Sequence, residues 1–145
     1  MKLLAAVDLS RASAYVIEAV HRVAMATDAE VYLLHVITPL PNVAGMEFHP
    51  VMDQQEFSER FAEEQQQLDR LVGQLIEAEV KAVGLLVQGD PGKVILQEAA
   101  RLEAELIVLG SHGHGLLFDA LVGSVSAGVL RKSTLPVLIV PVRDM

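Results

Sequence analysis

Five short runs of aliphatic residues, spaced by longer segments of helical period, constrain this chain more than any other feature. The runs are Leu3–Val7, Val31–Val36, Ala82–Val87, Leu106–Leu109 and Val137–Val140. Each has the length and side-chain type of a buried strand. Between the first two, Val16, Ala19, Val20 and Val23 recur on one helix face, and Ser10 is placed to cap that helix. Between the second and third, Phe57, Phe61, Leu68, Leu71, Val72, Leu75 and Ile76 carry a helical stripe through an acidic, Gln-rich stretch that reads as a solvated face. Thr38–Pro50, with three prolines, Asn42 and Gly45, reads as a surface loop, and loops of this length often cover ligands while many others are merely mobile. Asp90-Pro91-Gly92 opens a third helix, with Asp90 as cap and Pro91 in its first position.

The order is therefore βαβαβαβαβ, which calls for a parallel sheet with helices on both faces. Right-handed crossovers can cover both faces only if the chain reverses its winding direction once. At that reversal two loops leave neighbouring strand ends in opposite directions, and the crevice between them is where such sheets bind ligands. The 145 residues suit a single domain.

Composition removes several functions. The formal net charge of −8 argues against DNA or RNA as partner, because phosphate backbones are bound through clustered Lys and Arg. The absence of cysteine excludes disulfides, thiolate metal sites and cysteine nucleophiles, and fits a reducing compartment. The opening residues lack the long apolar region of a signal peptide, and no run is long enough to span a bilayer. The expectation is a cytoplasmic protein without membrane insertion.

The chemistry lies after the fourth run. Gly110-Ser111-His112-Gly113-His114-Gly115 is followed, past a short apolar spacer, by Gly123-Ser124-Val125-Ser126 at the start of the last helix. Gly110 and Gly113 allow a tight turn and a close approach of backbone amides to an anion. A helix N-terminus offers further N–H groups, and Ser124 and Ser126 add hydroxyl donors. Together these parts form a phosphate cradle. The cradle has no Lys or Arg from Gly110 to Ser126. A polyphosphate would therefore rest on amides, hydroxyls, a divalent cation and a histidine.

Other residues invite roles that the pattern does not support. His112 and His114 flank Gly113 and suggest a metal pair or a nucleotidyl-transfer histidine motif, but that motif belongs near a first strand, so coincidence is the better reading, with contact to phosphate as the alternative. His35, inside a strand pattern, reads as a buried imidazole with its hydrogen bonds satisfied. Asp119 reads as an exposed carboxylate, and His21 and His49 take no role. No Walker lysine, nucleophile elbow or paired acidic metal motif occurs, so neither catalytic residues nor a protein metal site are assigned.

The spacing Gly110, two residues, Gly113, nine residues, Gly123-Ser124 resembles the ATP-binding signature of the universal stress protein family. The resemblance continues in Val7-Asp8 with Ser10, in Leu34-His35-Val36, in Glu105–Gly110 and in Leu135–Val140, while Ala6 stands where some ATP-binding members carry proline. It implies a three-layer α/β/α sandwich of the adenine nucleotide alpha hydrolase-like type, with a five-stranded parallel sheet in the order 3-2-1-4-5. It also implies that Asp8 and the backbone at Val36 hold adenosine, and that Gly110, Gly113, Gly123, Ser124, Val125 and Ser126 surround ribose and phosphates. The implied ligand is ATP, or AMP or ADP, with Mg2+. The implied assembly is a homodimer through the edge strand Val137–Val140, whose short apolar edge would itself invite a partner strand. The function expected is nucleotide-dependent regulation in a stress response. A slow ATPase or nucleotidyl-transfer enzyme on the same fold, and a dimeric scaffold without nucleotide, remain open as alternatives.

Overall fold

A computed structural model describes residues 1–38, 54–112 and 122–143. In chain order the elements are β1 (Lys2–Ala6), α1 (Ser13–Thr27), β2 (Glu30–Ile37), α2 (Gln54–Glu77), β3 (Lys81–Gln88), α3 (Pro91–Leu102), β4 (Leu106–Gly110), α4 (Ser124–Lys132) and β5 (Val137–Val140). All five aliphatic runs are strands, within a residue at either end. They form one parallel sheet in the order β3-β2-β1-β4-β5.

Register follows the aliphatic runs. Leu3, Leu4 and Ala5 of β1 pair with Val31, Tyr32 and Leu33 on one side and with Leu106, Ile107 and Val108 on the other. Strands bordered on both sides and covered on both faces have no wet surface, which is why β1 carries three consecutive fully buried side chains. Two cores result. Under α1 and α2, Leu3, Ala5, Val31 and Leu33 meet Val16, Val20, Leu68 and Leu75. On the opposite face Leu4, Leu34, Ile107 and Leu109 meet Val94, Ile95, Ala99 and Val129.

The helices start as local chemistry dictates, with one exception. Asp90 caps α3, its carboxylate accepting from Lys93 N–H at 3.2 Å, and Pro91 takes the first helical position. Ser10, expected to cap α1, instead shapes the turn before it. Its carbonyl accepts from Ser13 N–H and its hydroxyl from Ala12 N–H, and the helix begins three residues later at Ser13. The reason lies in Asp8, whose Oδ1 takes both the N–H (2.9 Å) and the hydroxyl (2.5 Å) of Ser10. These two hydrogen bonds to one carboxylate oxygen tie down the turn in which Leu9 has φ of 64°, a left-handed conformation rare for leucine.

The stripe read on α2 needs a second correction. Leu68, Val72 and Leu75 are buried and Leu71 packs against them, but Phe61 is 38% exposed and Ile76 55%. A helix of 24 residues is about 36 Å long, whereas the eight-residue strands beneath reach about 26 Å, so its first turns run beyond the sheet. Phe57 and Phe61 there meet each other, with ring centroids 6.2 Å apart.

Candidate functional site

Since β1 is flanked by β2 and β4, the chain leaves β1 for α1 on one face of the sheet and leaves β4 towards α4 on the other. A crevice of about 710 Å³ opens at the strand ends, between the start of α1 and the start of α4. Asp8, Val36, Gly110, Gly123, Ser124, Val125 and Ser126 all line it. Gly113 lies outside the described residues, as do His114, His49, Asp119 and all but the first residue of the Thr38–Pro50 loop.

On the α4 side the geometry is a helix N-terminus held against a strand end. Gly123 N–H donates to Ser111 O at 2.6 Å, and the first bond within α4 runs from Ala127 N–H to Gly123 O. The amides of Ser124, Val125 and Ser126 therefore have no acceptor within the helix, and the macrodipole adds positive potential at that end. The hydroxyl of Ser126, expected to face an anion, is buried and donates to Gly110 O at 2.8 Å. It fixes the helix start to the end of β4, leaving Ser124, which is exposed, as the hydroxyl at the mouth.

The two glycines of this segment differ in surroundings. A Cβ on Gly110 would meet His112 O at 3.3 Å and the methyls of Val142 and Val16 at 3.4 Å, so a side chain there would have to displace its neighbours on α1 and after β5 by a few tenths of an ångström. A Cβ on Gly123 would meet Ser111 O at 3.4 Å and His112 Cα at 3.8 Å, ordinary contacts. Lack of a side chain at Gly123 serves the crevice rather than the packing. His112 lines the crevice with Nδ1 3.1 Å from the Ser111 hydroxyl, which also accepts from Val142 N–H.

On the opposite wall the structure adds groups that the sequence pattern hid. His35 is buried as expected, with Nδ1 2.9 Å from Val7 O and Nε2 2.8 Å from Glu64 Oε1. A carbonyl oxygen only accepts, so Nδ1 carries hydrogen, and the Nε2–Oε1 contact is a hydrogen bond only with a proton between the two atoms. Glu64 Oε2 lies 2.9 Å from Arg60 Nε, close enough for an ion pair but without hydrogen-bond alignment, and Arg60 Nη1 donates to Thr38 O at 2.6 Å. Arg60 and Glu64 come from the acidic, Gln-rich stretch read as solvated. They stand two turns and one turn before Leu68 on its four-residue ridge, the one signal in the sequence that could have marked them.

Ser13 was likewise hidden. It is the first member of the α1 stripe that continues through Val16, Ile17, Val20 and Ala24, and its buried hydroxyl has no hydrogen-bond partner among the described residues. It too lines the crevice. Among the described residues no three His, Asp or Glu side chains converge as a metal site would require.

A sequence profile described as the universal stress protein family matches residues 1–141. The chain is 32% identical over 144 residues to universal stress protein YxiE of Bacillus subtilis (strain 168), covering 96% of this chain and 97% of that one. The solved structure of MJ0577, a universal stress protein of Methanocaldococcus jannaschii, superposes with a TM-score of 0.82 at 28% identity, over 99% of this chain and 97% of the other. Two further structures share the fold at lower identity. One is a universal stress protein in complex with cAMP, at TM-score 0.73 and 22% identity, covering 97% of this chain and 96% of its own. The other is the universal stress protein of Archaeoglobus fulgidus in complex with dAMP, at TM-score 0.68 and 21% identity, covering 97% of each chain.

Proposed function

The chain belongs to the universal stress protein family, and from that premise we propose that it binds an adenine nucleotide in the crevice above β1 and β4 and acts in a stress response through its occupancy. The observation that carries this reading is the convergence of Asp8, Val36 and the Gly110 and Gly123–Ser126 segments on one crevice. Its volume is typical of small-molecule sites, about 300–1,000 Å³. The adenine nucleotides of the cAMP and dAMP complexes support the ligand class.

The chemistry of the walls suits the parts of such a ligand. The amides opening α4 offer fixed donors to phosphate oxygens, which need no lysine when a helix N-terminus supplies the potential. Val36, at the end of β2, provides backbone groups for the base, and Asp8, at the end of β1, lies between. ATP is the ligand we propose, with AMP and ADP sharing the same contacts. A Mg2+ would arrive with the phosphates and take oxygen ligands from them and from water, since it is usually bound in that way rather than by an all-protein cage. Occupancy becomes a signal only if nucleotide binds one conformation more tightly than another. We place that signal in the cytoplasm, in a homodimer formed through β5.

The test is to purify the protein without added nucleotide, denature it, and identify any released nucleotide by chromatography beside a Gly123→Val control. Stoichiometric adenine nucleotide from the native chain and none from the variant supports the proposal. Should the native chain prove empty, thermal unfolding with Mg·ATP decides. Failure to gain roughly 2.7 kcal/mol at about a hundred times the dissociation constant expected for the site would overturn nucleotide binding. Turnover at about one per second or faster would instead identify an enzyme.

A further inference from the structure

The polar chain along the α2 wall has no part in the glycine signature, yet it crosses three elements. It runs from Val7 O through His35 and Glu64 to Arg60 and ends on Thr38 O, joining β1, β2 and α2. Arginine on a helix surface is ordinarily mobile. Here Nη1 donates to a backbone carbonyl and Nε lies 2.9 Å from a carboxylate that is itself fixed, which restricts where the guanidinium can lie before any ligand arrives. The side chain is 30% exposed and lines the crevice, and among the described residues its polar partners are met by Nη1 and Nε.

Its place along the crevice indicates what it meets. Thr38 directly follows β2, the strand that carries Val36, whereas the amides of α4 stand by the end of β4. With β1 between them, the two strand ends are about 10 Å apart at the usual strand spacing. Glu64 offsets the charge of Arg60 at close range, which weakens its pull on a distant phosphate but leaves a flat, weakly hydrated face and spare N–H donors. Such a face suits the π-surface and ring nitrogens of a base.

We infer that Arg60, positioned by Glu64 and His35, contacts the purine ring of the bound nucleotide; this rests on the adenine-nucleotide reading of the crevice. Arg60 is then a recognition residue, and Glu64 and His35 are positioning residues that act through it. No bond to the protein has to break for the contact to form.

The experiment compares wild type, Arg60→Met and Arg60→Lys for binding of AMP and of adenosine by calorimetry, with thermal unfolding of each unliganded protein. Arg60→Met is expected to weaken AMP and adenosine by the same factor, about tenfold. Arg60→Lys keeps the charge but not the planar fork, and is expected to recover little of the loss. A loss confined to AMP would assign Arg60 to phosphate and overturn the inference. So would full recovery in Arg60→Lys. Unchanged affinities with a lowered unfolding temperature would reduce Arg60 to a clamp between α2 and β2. Wild type that binds neither compound would sink the nucleotide reading itself, and the inference with it. Wild type that binds both, beside an Arg60→Met that binds equally well, would sink the inference alone.

Discussion

Gly110 and Gly123 lie on either side of one segment and look equivalent in the sequence, but only Gly110 is packed where a side chain would press on backbone and valine methyls. Gly123→Val is therefore the control of choice: a Cβ there makes contacts of 3.4 Å or longer, and Gly123 lines the crevice. Ser13 offers another test at this scale. A buried hydroxyl without a partner costs about 1–3 kcal/mol, and alanine is the better helix former. Ser13→Ala is therefore expected to stabilise the unliganded protein by about 1 kcal/mol, measured as a higher midpoint in urea. A lower midpoint would mean that the hydroxyl has a partner. The single-residue roles were only partly legible. His35 could be read as a satisfied imidazole because a histidine amid aliphatic strand residues must find partners, but nothing local said that one partner would be Glu64, 29 positions away.

Helices and strands show which local signals survive folding. Asp90-Pro91 was readable because a cap acts within four residues, and Asp90→Ala should cost about 1 kcal/mol. In a calorimetric scan that corresponds to about 3 to 5 °C. No change would mean that water replaces the carboxylate at no loss. The start of α1 was misread because Ser10 satisfies the usual preference for a cap, while the nearby Asp8 carboxylate draws its hydroxyl and N–H into a separate turn. The stripe on α2 was right in direction and wrong in extent. Periodicity reports which way a side chain points, but only the lengths of helix and strand decide whether anything lies beneath it. Where α2 runs past the sheet, Phe61 is exposed, and Arg60 and Glu64 reach the crevice.

For the molecule as a whole, the sheet has an eight-residue edge at β3 and a four-residue edge at β5. Strand β3 begins with an exposed Lys81, a charge of the kind that discourages edge pairing. Strand β5 is aliphatic throughout, and its Leu138 is 37% exposed. We expect the homodimer to form there and Leu138→Lys to give a monomer with the fold intact, read from solution mass and circular dichroism. A wild-type chain that is monomeric at micromolar concentration, or a variant that remains dimeric, would remove β5 from the interface. Among the described residues no helix is long and apolar enough to cross a membrane.

By itself the sequence determined the elements and their class. Aliphatic runs, helical periods and the Asp90 cap are relations between residues close in the chain, and alternation of strand and helix leaves a parallel sheet covered on both faces. The glycine spacing marked one wall of the crevice for the same reason, since Gly110 and Gly123–Ser126 belong to one short segment. Only the tertiary structure decided the other wall. Val7, His35, Glu64, Arg60 and Thr38 come from β2, α2 and the residues just after β1 and β2, and their meeting depends on strand order, on the register of β2 against β1 and on how far α2 overhangs the sheet. A charged residue on a helix carries no sign of what stands opposite it until packing has put something there.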